Sequence, residues 1–190
     1  MELINFNLLA STFKYGEEDA EEELLDLLGL FGDYQPKSQI TDINGIVIAY
    51  TNLDLFQVIG SIRHLVKNEP WKVRYVLRLI PIESVVRTKL HDIAIAANNL
   101  KRKIYSQDTF RITVERRHTF MSPADIIATL ASQIDNKVNL KNPDWIVLVE
   151  IIGAFTGISV LKPDQILRSV IEKRCTSYNN SDFDHNNTTL

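Results

Sequence analysis

The first eighty residues alternate between segments with the hydrophobic period of a strand and segments with that of a helix. Near the start, Ile4, Phe6 and Leu8 alternate with polar residues, which predicts a strand. Residues 15–34 hold strong helix formers, acids in their first turns and glycines at their end, as is typical of a helix.

Four further elements follow in this part of the chain. Two short strands flank Asn44-Gly45, a dipeptide typical of β-hairpin turns. Apolar residues recur at helical spacing over residues 53–68, and residues 71–81 predict a strand. The order strand, helix, strand, strand, helix, strand predicts an N-terminal ferredoxin-like βαββαβ domain over residues 1–81. This fold carries many chemistries and does not itself indicate a function.

A second α/β unit is predicted over residues 82–175, so that the whole chain falls in the α/β (α+β) class. Ser122-Pro123 marks a helix start, because serine caps a helix and proline fits its first position. The other predicted elements are a helix over 87–105, strands over 109–117, 144–152 and 157–163, and a closing helix over 163–174. Residues 176–190 are polar and rich in asparagine, which predicts a disordered tail.

Composition narrows the class of protein. The 190 residues are 45% hydrophobic and 24% charged, as in ordinary soluble domains. Apolar runs such as IVIAY are too short to cross a bilayer, and no secretory signal follows Met1. The single cysteine, Cys175, excludes an internal disulfide and a cysteine-based zinc cluster. We therefore expect a cytoplasmic protein.

Charge is unevenly distributed along the chain. Residues 1–70 carry 4 Lys and Arg against 12 Asp and Glu, whereas residues 71–118 carry 11 against 4. A basic segment inside an acidic chain indicates a surface for an anionic partner such as a nucleic acid. The acidic residues of the first helix, Glu17 to Asp26, are consistent with a solvated face favoured by the helix dipole or with a surface that docks a protein.

The candidate binding residues lie in this basic segment. Strand alternation places Arg111 and Arg117 on the face opposite Phe110, and Arg116 and His118 end the same stretch. The remaining candidates are Lys101, Arg102, Lys103, Lys72, Arg74 and Arg78. The triplet at 101–103 also has a structural explanation, since cations offset the dipole at a helix C-terminus. We expect the cations to form one continuous surface.

The helix that begins at Ser122-Pro123 strengthens this hypothesis. Its unpaired backbone N–H groups can bind an anion, and neighbouring arginines can bind phosphate. Phe120 either stacks on an unpaired base or packs as a hydrophobic staple over Ile126 or Ile127.

Catalytic signatures are absent from the sequence. There is no glycine-rich phosphate loop, no HExxH, no GxSxG and no cysteine pair, and the four histidines are scattered. We therefore expect no catalytic residues, no metal and no cofactor.

The stretch TFRITVERRHTFMSPADIIATLASQI, followed by VNLKNPDWIVLVEI and GAFTGISVL, resembles the THUMP domain of RNA-modifying proteins. Its marks fall on Phe110-Arg111, Ser122, Val138 to Asp144, and Gly157-Ile158-Ser159. The resemblance covers roughly residues 1–175, because the first unit is similar to the domain that precedes THUMP domains. It implies a THUMP domain over residues 82–175.

The resemblance also implies binding to the acceptor end of tRNA, including its single-stranded CCA. Gly157 and Ser159 are candidates for lining the groove that holds these nucleotides, and the alternative is a structural role as a turn glycine and a strand hydroxyl. Most relatives carry a fused catalytic domain, whereas this sequence ends after the THUMP unit. Its opening, with Leu9 to Phe13 and Glu17 to Ala20, looks like that of the adaptor of tRNA cytidine acetylation. We therefore expect a non-catalytic adaptor whose partner is a separate RNA-modifying enzyme, an acetyltransferase. The alternatives are an RNA-modifying or RNA-processing enzyme with an unrecognised active site, and a protein-interaction module.

Overall fold

A computed structural model of the chain describes residues 5–174, which contain two five-stranded sheets and the helices that cover them. The predicted strand position Ile4 and the predicted disordered tail, 176–190, lie outside these residues. The strands are β1 (Leu8–Ser11), β2 (Lys37–Ile40), β3 (Ile46–Tyr50), β4 (Arg78–Pro81), β5 (Ser84–Arg87), β6 (Thr109–Arg117), β7 (Lys137–Val138), β8 (Trp145–Ile152), β9 (Phe155–Leu161) and β10 (Leu167–Arg168). The helices are α1 (Glu17–Leu30), α2 (Leu55–Asn68), α3 (Leu90–Leu100) and α4 (Pro123–Ala131), and residues 169–174 are also helical.

The first sheet has the strand order β10-β4-β1-β3-β2, and all of its pairings are antiparallel. Without β10, this is the ferredoxin-like arrangement that the order of predicted elements indicated. The predicted hairpin turn at Asn44-Gly45 is confirmed. Gly45 has a positive φ of 75°, and a Cβ there would lie 2.7 Å from the carbonyl oxygen of Thr12. Both constraints favour glycine.

The second sheet has the order β5-β9-β8-β6-β7, in which β6 runs parallel to β7 and β8. The α4 helix connects the parallel strands β6 and β7, so it runs back along the sheet. Strand β5 ends at Arg87 opposite Phe155, where β9 starts, and α3 follows directly. Both α3 and α4 therefore begin at the end of the sheet where β6 and β8 finish.

Three hydrophobic cores separate four layers. Helices α1 and α2 pack on the outer face of the first sheet, and α3 and α4 pack on the outer face of the second. Between the sheets lies a third core, which contains Leu9 and Ile80 from the first sheet and Ile146 and Leu148 from the second. The order is helices, sheet, sheet, helices. No described helix has both the length and the apolar character needed to span a membrane.

The strand predicted over residues 71–81 begins only at Arg78. The carboxylate of Glu23 accepts hydrogen bonds from the backbone N–H groups of Arg74 at 2.6 Å and Val76 at 2.8 Å, and from that of Tyr75 between them. These donors are therefore not available to a strand ladder. Residues 70–72 form a 3-10 turn, and the side chain of Trp71 is exposed instead of lying on a buried face.

The closing helix predicted over 163–174 is also shorter than expected. Residues 163–165 form a 3-10 turn, and β10 then pairs with β4 of the first sheet. The Ser169 hydroxyl donates to the carbonyl of Val76 at 2.8 Å, which holds the start of the helical residues against the first sheet. The chain thus returns to the first sheet after completing the second.

Residues 81–83 link the sheets and are fixed by side chains of β9 and its neighbours. The Ser159 hydroxyl donates to the carbonyl of Pro81 at 2.7 Å and accepts from the N–H of Glu83 at 3.2 Å. The Glu83 carboxylate accepts from the N–H of Val160 at 2.9 Å. Ile82 packs so closely on β9 that a Cβ at Gly157 would lie 3.0 Å from two of its carbons.

Glu150 on β8 is completely buried and contacts one arginine from each sheet. Its Oε2 accepts a hydrogen bond of 2.7 Å from Arg117 on β6, and its Oε1 lies 3.4 Å from a guanidinium nitrogen of Arg78 on β4. Burial raises the pKa of Glu150, while the two guanidinium groups act in the opposite direction. An unpaired carboxylate here would be very costly, so this cluster fixes both arginines.

We predict that Arg117→Glu lowers the free energy of unfolding by about 3–5 kcal/mol, because it removes a partner of a buried anion and adds a like charge. Urea denaturation measures this change. The neighbouring Arg116→Glu, at an exposed position, is the control and changes stability by no more than about 0.5 kcal/mol. Equal effects of the two substitutions would contradict the assigned role of Glu150.

A second prediction concerns the contact between β9 and the link. Gly157→Ala destabilises the protein by about 1–3 kcal/mol, because its new methyl group collides with Ile82. Since Ile82→Val removes one of the colliding carbons, it restores part of that loss in the double variant. Thermal unfolding of the four proteins of this cycle provides the measurement, and additive effects would show that the two residues are not in tight contact.

Candidate nucleic-acid interface

The end of the second sheet at which β6 and β8 finish combines cations with two helix starts. We call it the Arg116 end and define it as residues 87–92, 116–125 and 152–155. Helices α3 and α4 both begin here, so their first backbone N–H groups face the same end of the molecule. Such groups carry partial positive charge and bind anions.

Arg116 and Arg117 extend to opposite faces of the second sheet. Arg116 is paired in register with Ile151, which packs in the core under α3 and α4. Its side chain is therefore on the helix side, where it is exposed. Arg117 is on the side of the first sheet, where Glu150 holds it. Of these two predicted contacts, Arg116 is available to a ligand and Arg117 is neutralised.

His118 follows directly and has a strained backbone. Its φ is 52°, a left-handed conformation that is unusual for a residue other than glycine. The exposed side chain borders a cavity of about 250 Å³ between the β2–β3 hairpin and the turn that joins β8 to β9. Asp42, Gly153 and Phe155 also line this cavity. The bend at His118 therefore places its imidazole ring beside this small cavity.

The start of α4 is formed as predicted. The Ser122 hydroxyl accepts a hydrogen bond from the N–H of Asp125 at 3.4 Å, and Pro123 occupies the first turn. Phe120 is 107% exposed, as open as in an extended chain. A hydrophobic staple would be at least partly covered, so that alternative is wrong. An exposed ring beside a helix N-terminus can stack on a base.

Two cations at the Arg116 end were not among the predicted site residues. Arg87 and Lys89 are exposed and precede α3, and the Arg87 guanidinium lies 4.9 Å from the centre of the Phe155 ring. Both belong to the basic segment, but strand β5, which carries Arg87, was not predicted. Asp92 and Asp125, in the first turns of α3 and α4, partly offset this positive charge.

The triplet Lys101, Arg102 and Lys103 lies at the opposite end of the second sheet. It follows α3, and the nine-residue strand β6 separates this end from Arg117, a length of about 26 Å at the usual rise per residue. The ammonium group of Lys101 donates to the carbonyl of Gln133, and Lys103 pairs with Glu83. Arg102 is exposed.

Four other predicted cations are also placed elsewhere. Lys72 forms an ion pair of 2.7 Å with Glu69, and the guanidinium of Arg74 lies 5.5 Å from the ring centre of Tyr75, beside α1. Arg78 is held by Glu150, and Arg111 donates to the carbonyl of Leu140 at 3.1 Å. The expectation of one continuous cationic surface is therefore wrong.

Gly157 and Ser159 do not line a groove in this structure. Ser159 is completely buried, and both of its hydrogen bonds hold the link between the sheets. Gly157 faces Ile82 of the same link. These contacts correspond to the structural alternative for both residues. Among residues 5–174, no group of three or more His, Cys, Asp or Glu side chains is arranged to hold a metal ion.

Comparison with known sequences is consistent with this geometry. The family model described as "THUMP domain" matches residues 87–161. The chain is 31% identical over 118 residues to THUMP domain-containing protein 1 from Homo sapiens, and the match covers 56% of this chain and 33% of that protein. The chain thus spans about a third of the length of the curated relatives it matches.

Solved structures share the fold over most of the chain. PH1313 from Pyrococcus horikoshii superposes with a TM-score of 0.62 at 19% identity, covering 83% of this chain and 55% of that one. A 4-thiouridine synthetase, solved as an RNA complex with bound ATP, superposes with a TM-score of 0.53 at 14% identity, covering 86% of this chain and 42% of that one. The family model thus identifies a THUMP domain over residues 87–161, and the solved structures show that the fold is shared over most of the chain.

Proposed function

We propose that the chain binds the acceptor end of tRNA at the Arg116 end and assists a separate RNA-modifying enzyme. One observation carries this proposal: two helix N-termini, the exposed cations Arg87, Lys89 and Arg116, and the uncovered ring of Phe120 share one end of the second sheet. Phosphates bind backbone N–H groups and arginines, whereas unpaired bases stack on aromatic rings. The combination fits a nucleic acid with a single-stranded end.

The set of contacting residues in this proposal is smaller than the sequence indicated. Arg116, His118, Arg87 and Lys89 contact the RNA, while Arg117 and Arg78 neutralise Glu150 and support the strand ends beneath them. The cavity beside His118 is the enclosed part of this end and suits an unpaired nucleotide. Lys101, Arg102 and Lys103 lie at the far end of β6 and are not part of this surface.

The adaptor role rests on resemblance and on the similar proteins. The opening of the chain resembles the adaptor of tRNA cytidine acetylation, and the relatives it matches are named for their THUMP domain alone. A protein of the same fold was solved as an RNA complex. We therefore propose that an acetyltransferase supplies the chemistry in the cytoplasm and that this chain supplies tRNA recognition.

Charge reversal of Arg116 tests the proposed surface. We expect Arg116→Glu to weaken tRNA binding at least about ten-fold, because a repelled phosphate replaces an attracted one. Arg102→Glu is the matched control, since it makes the same charge change at an exposed site at the other end of the sheet; it should change the Kd less than about three-fold. Anisotropy with labelled tRNA at several salt concentrations measures both.

Phe120→Ala, in the same assay, separates stacking from charge. It should weaken binding to intact tRNA about ten-fold and leave the salt dependence unchanged, since a base–aromatic contact releases no counterions. With tRNA that lacks its single-stranded end, the substitution should have no effect. If Arg102→Glu weakens binding as much as Arg116→Glu does, the Arg116 end is not the site.

The partner reaction is tested in cells. Deleting the gene and analysing tRNA nucleosides by mass spectrometry should show loss of acetylated cytidine, with recovery by the wild-type chain but not by Arg116→Glu. An unchanged nucleoside profile would reject the acetylation role. A covalent change in tRNA incubated with the purified chain alone would favour the enzyme alternative instead.

A further inference from the structure

A groove runs between α1 and residues 71–75 on the outer side of the first sheet. Its volume is about 490 Å³, and Leu27, Leu30, Trp71 and Tyr75 provide its apolar lining. Trp71 is 65% exposed and Leu30 61% exposed. A tryptophan and a leucine left open side by side are the kind of residues that anchor protein interfaces.

Six of the seven acids of α1 fall into two groups, and Glu18 belongs to neither. Glu17, Glu21 and Glu23 have structural partners: the N–H of Gly45, the hydroxyl of Ser38 and the N–H groups of residues 74–76. Asp19, Glu22 and Asp26 line the groove beside Glu23, and none of these three forms an ion pair within residues 5–174. Their spacing of three and four residues puts them on one face of the helix.

Of this stripe of acids, only Asp19 lies in the first turn of α1, where the helix dipole favours it. Asp19 and Glu23, like Glu22 and Asp26, are like charges four residues apart, a spacing that destabilises a helix. Asp26 lies beyond the first turn, where the dipole would favour an acid. Across the groove, Lys72 is paired with Glu69, and Arg74 lies over Tyr75. The groove is lined by four acids and by two cations, Lys72 and Arg74, so its wall remains net negative.

The charge of the occupant can be inferred from this wall. Residues 176–190 contain Asp182 and Asp184 but no lysine or arginine, and residues 1–4 contain only Glu2 as a charged side chain. Neither of these two segments complements the acids. We propose that the groove binds an amphipathic, lysine- or arginine-rich helix of another protein. Its apolar side covers Trp71 and Leu30, and its cations reach Asp19, Glu22 and Asp26.

The location of the groove is compatible with simultaneous RNA binding. Helix α1 belongs to one outer layer of the molecule, and α3 and α4, which begin at the Arg116 end, belong to the other. The groove is thus the partner-facing surface that the adaptor role requires, and this inference rests on the proposed function. The two surfaces carry opposite charge, so that an RNA does not compete for the groove.

The test uses the full chain and a labelled peptide of leucine and lysine arranged as an amphipathic helix of about 14 residues, roughly four turns. We expect saturable binding with a blue shift of tryptophan emission as Trp71 is covered. Asp26→Lys and Trp71→Ala should each weaken binding at least about ten-fold. Glu18→Lys, an exposed α1 position that does not line the groove, should change it less than about two-fold.

Two control peptides make the result specific. A scrambled peptide of the same composition should bind at least about ten-fold more weakly, and a leucine–glutamate version should not bind. Equal binding of the scrambled peptide, or equal loss with Glu18→Lys, would overturn the proposal.

Asp26→Lys and Trp71→Ala should retain tRNA binding. Loss of RNA binding in Arg116→Glu with unchanged peptide binding separates the two surfaces, and peptide binding by a chain that never binds tRNA would reject only the proposed function.

Discussion

The carboxylate of Glu150 lies at the boundary of the two sheets, with no access to solvent and with a guanidinium group from each sheet beside it. A buried anion of this kind is tolerated only when cations or donors surround it. Arg78 therefore brings β4 of the first sheet to the strand that carries Glu150, and Arg117 holds the end of β6. The ion pair between Arg117 and Glu150 fixes the last residue of β6. It therefore also positions the residues that follow, namely the bend at His118 and the start of α4.

Local patterns determined most of the fold. Alternation in residues 109–117 predicts β6 with its observed bounds, and the capping serine and proline predict the start of α4. The ferredoxin-like order also follows from the periods of residues 1–81. The prediction fails where distant residues decide: Glu23 takes the backbone donors of residues 74–76 from a strand, and β10 extends a sheet to which its neighbours in sequence do not belong. Hydrophobic period carries no information about such partners.

The candidate site was predicted less well than the fold, because a charge count along the chain does not distinguish the ends of a sheet. Residues 101–103 and 116–118 are close in sequence, yet the full length of β6 separates them in space. Alternation could have separated Arg116 from Arg117, since one shares the face of Ile112 and Val114 and the other does not. Only the structure could show that a glutamate thirty-three residues later in the chain neutralises Arg117.

Because the chain returns to the first sheet, the bounds of the family match do not mark a separate structural unit. The family match ends at residue 161, but residues 167–168 pair with the edge of β4. The Ser169 hydroxyl then donates a hydrogen bond to the backbone carbonyl of Val76. Residues 87–161 therefore lie, in sequence, between two parts of the chain that both belong to the first sheet. Separating the two halves would remove β10 from β4 and expose a strand edge that can pair with other molecules.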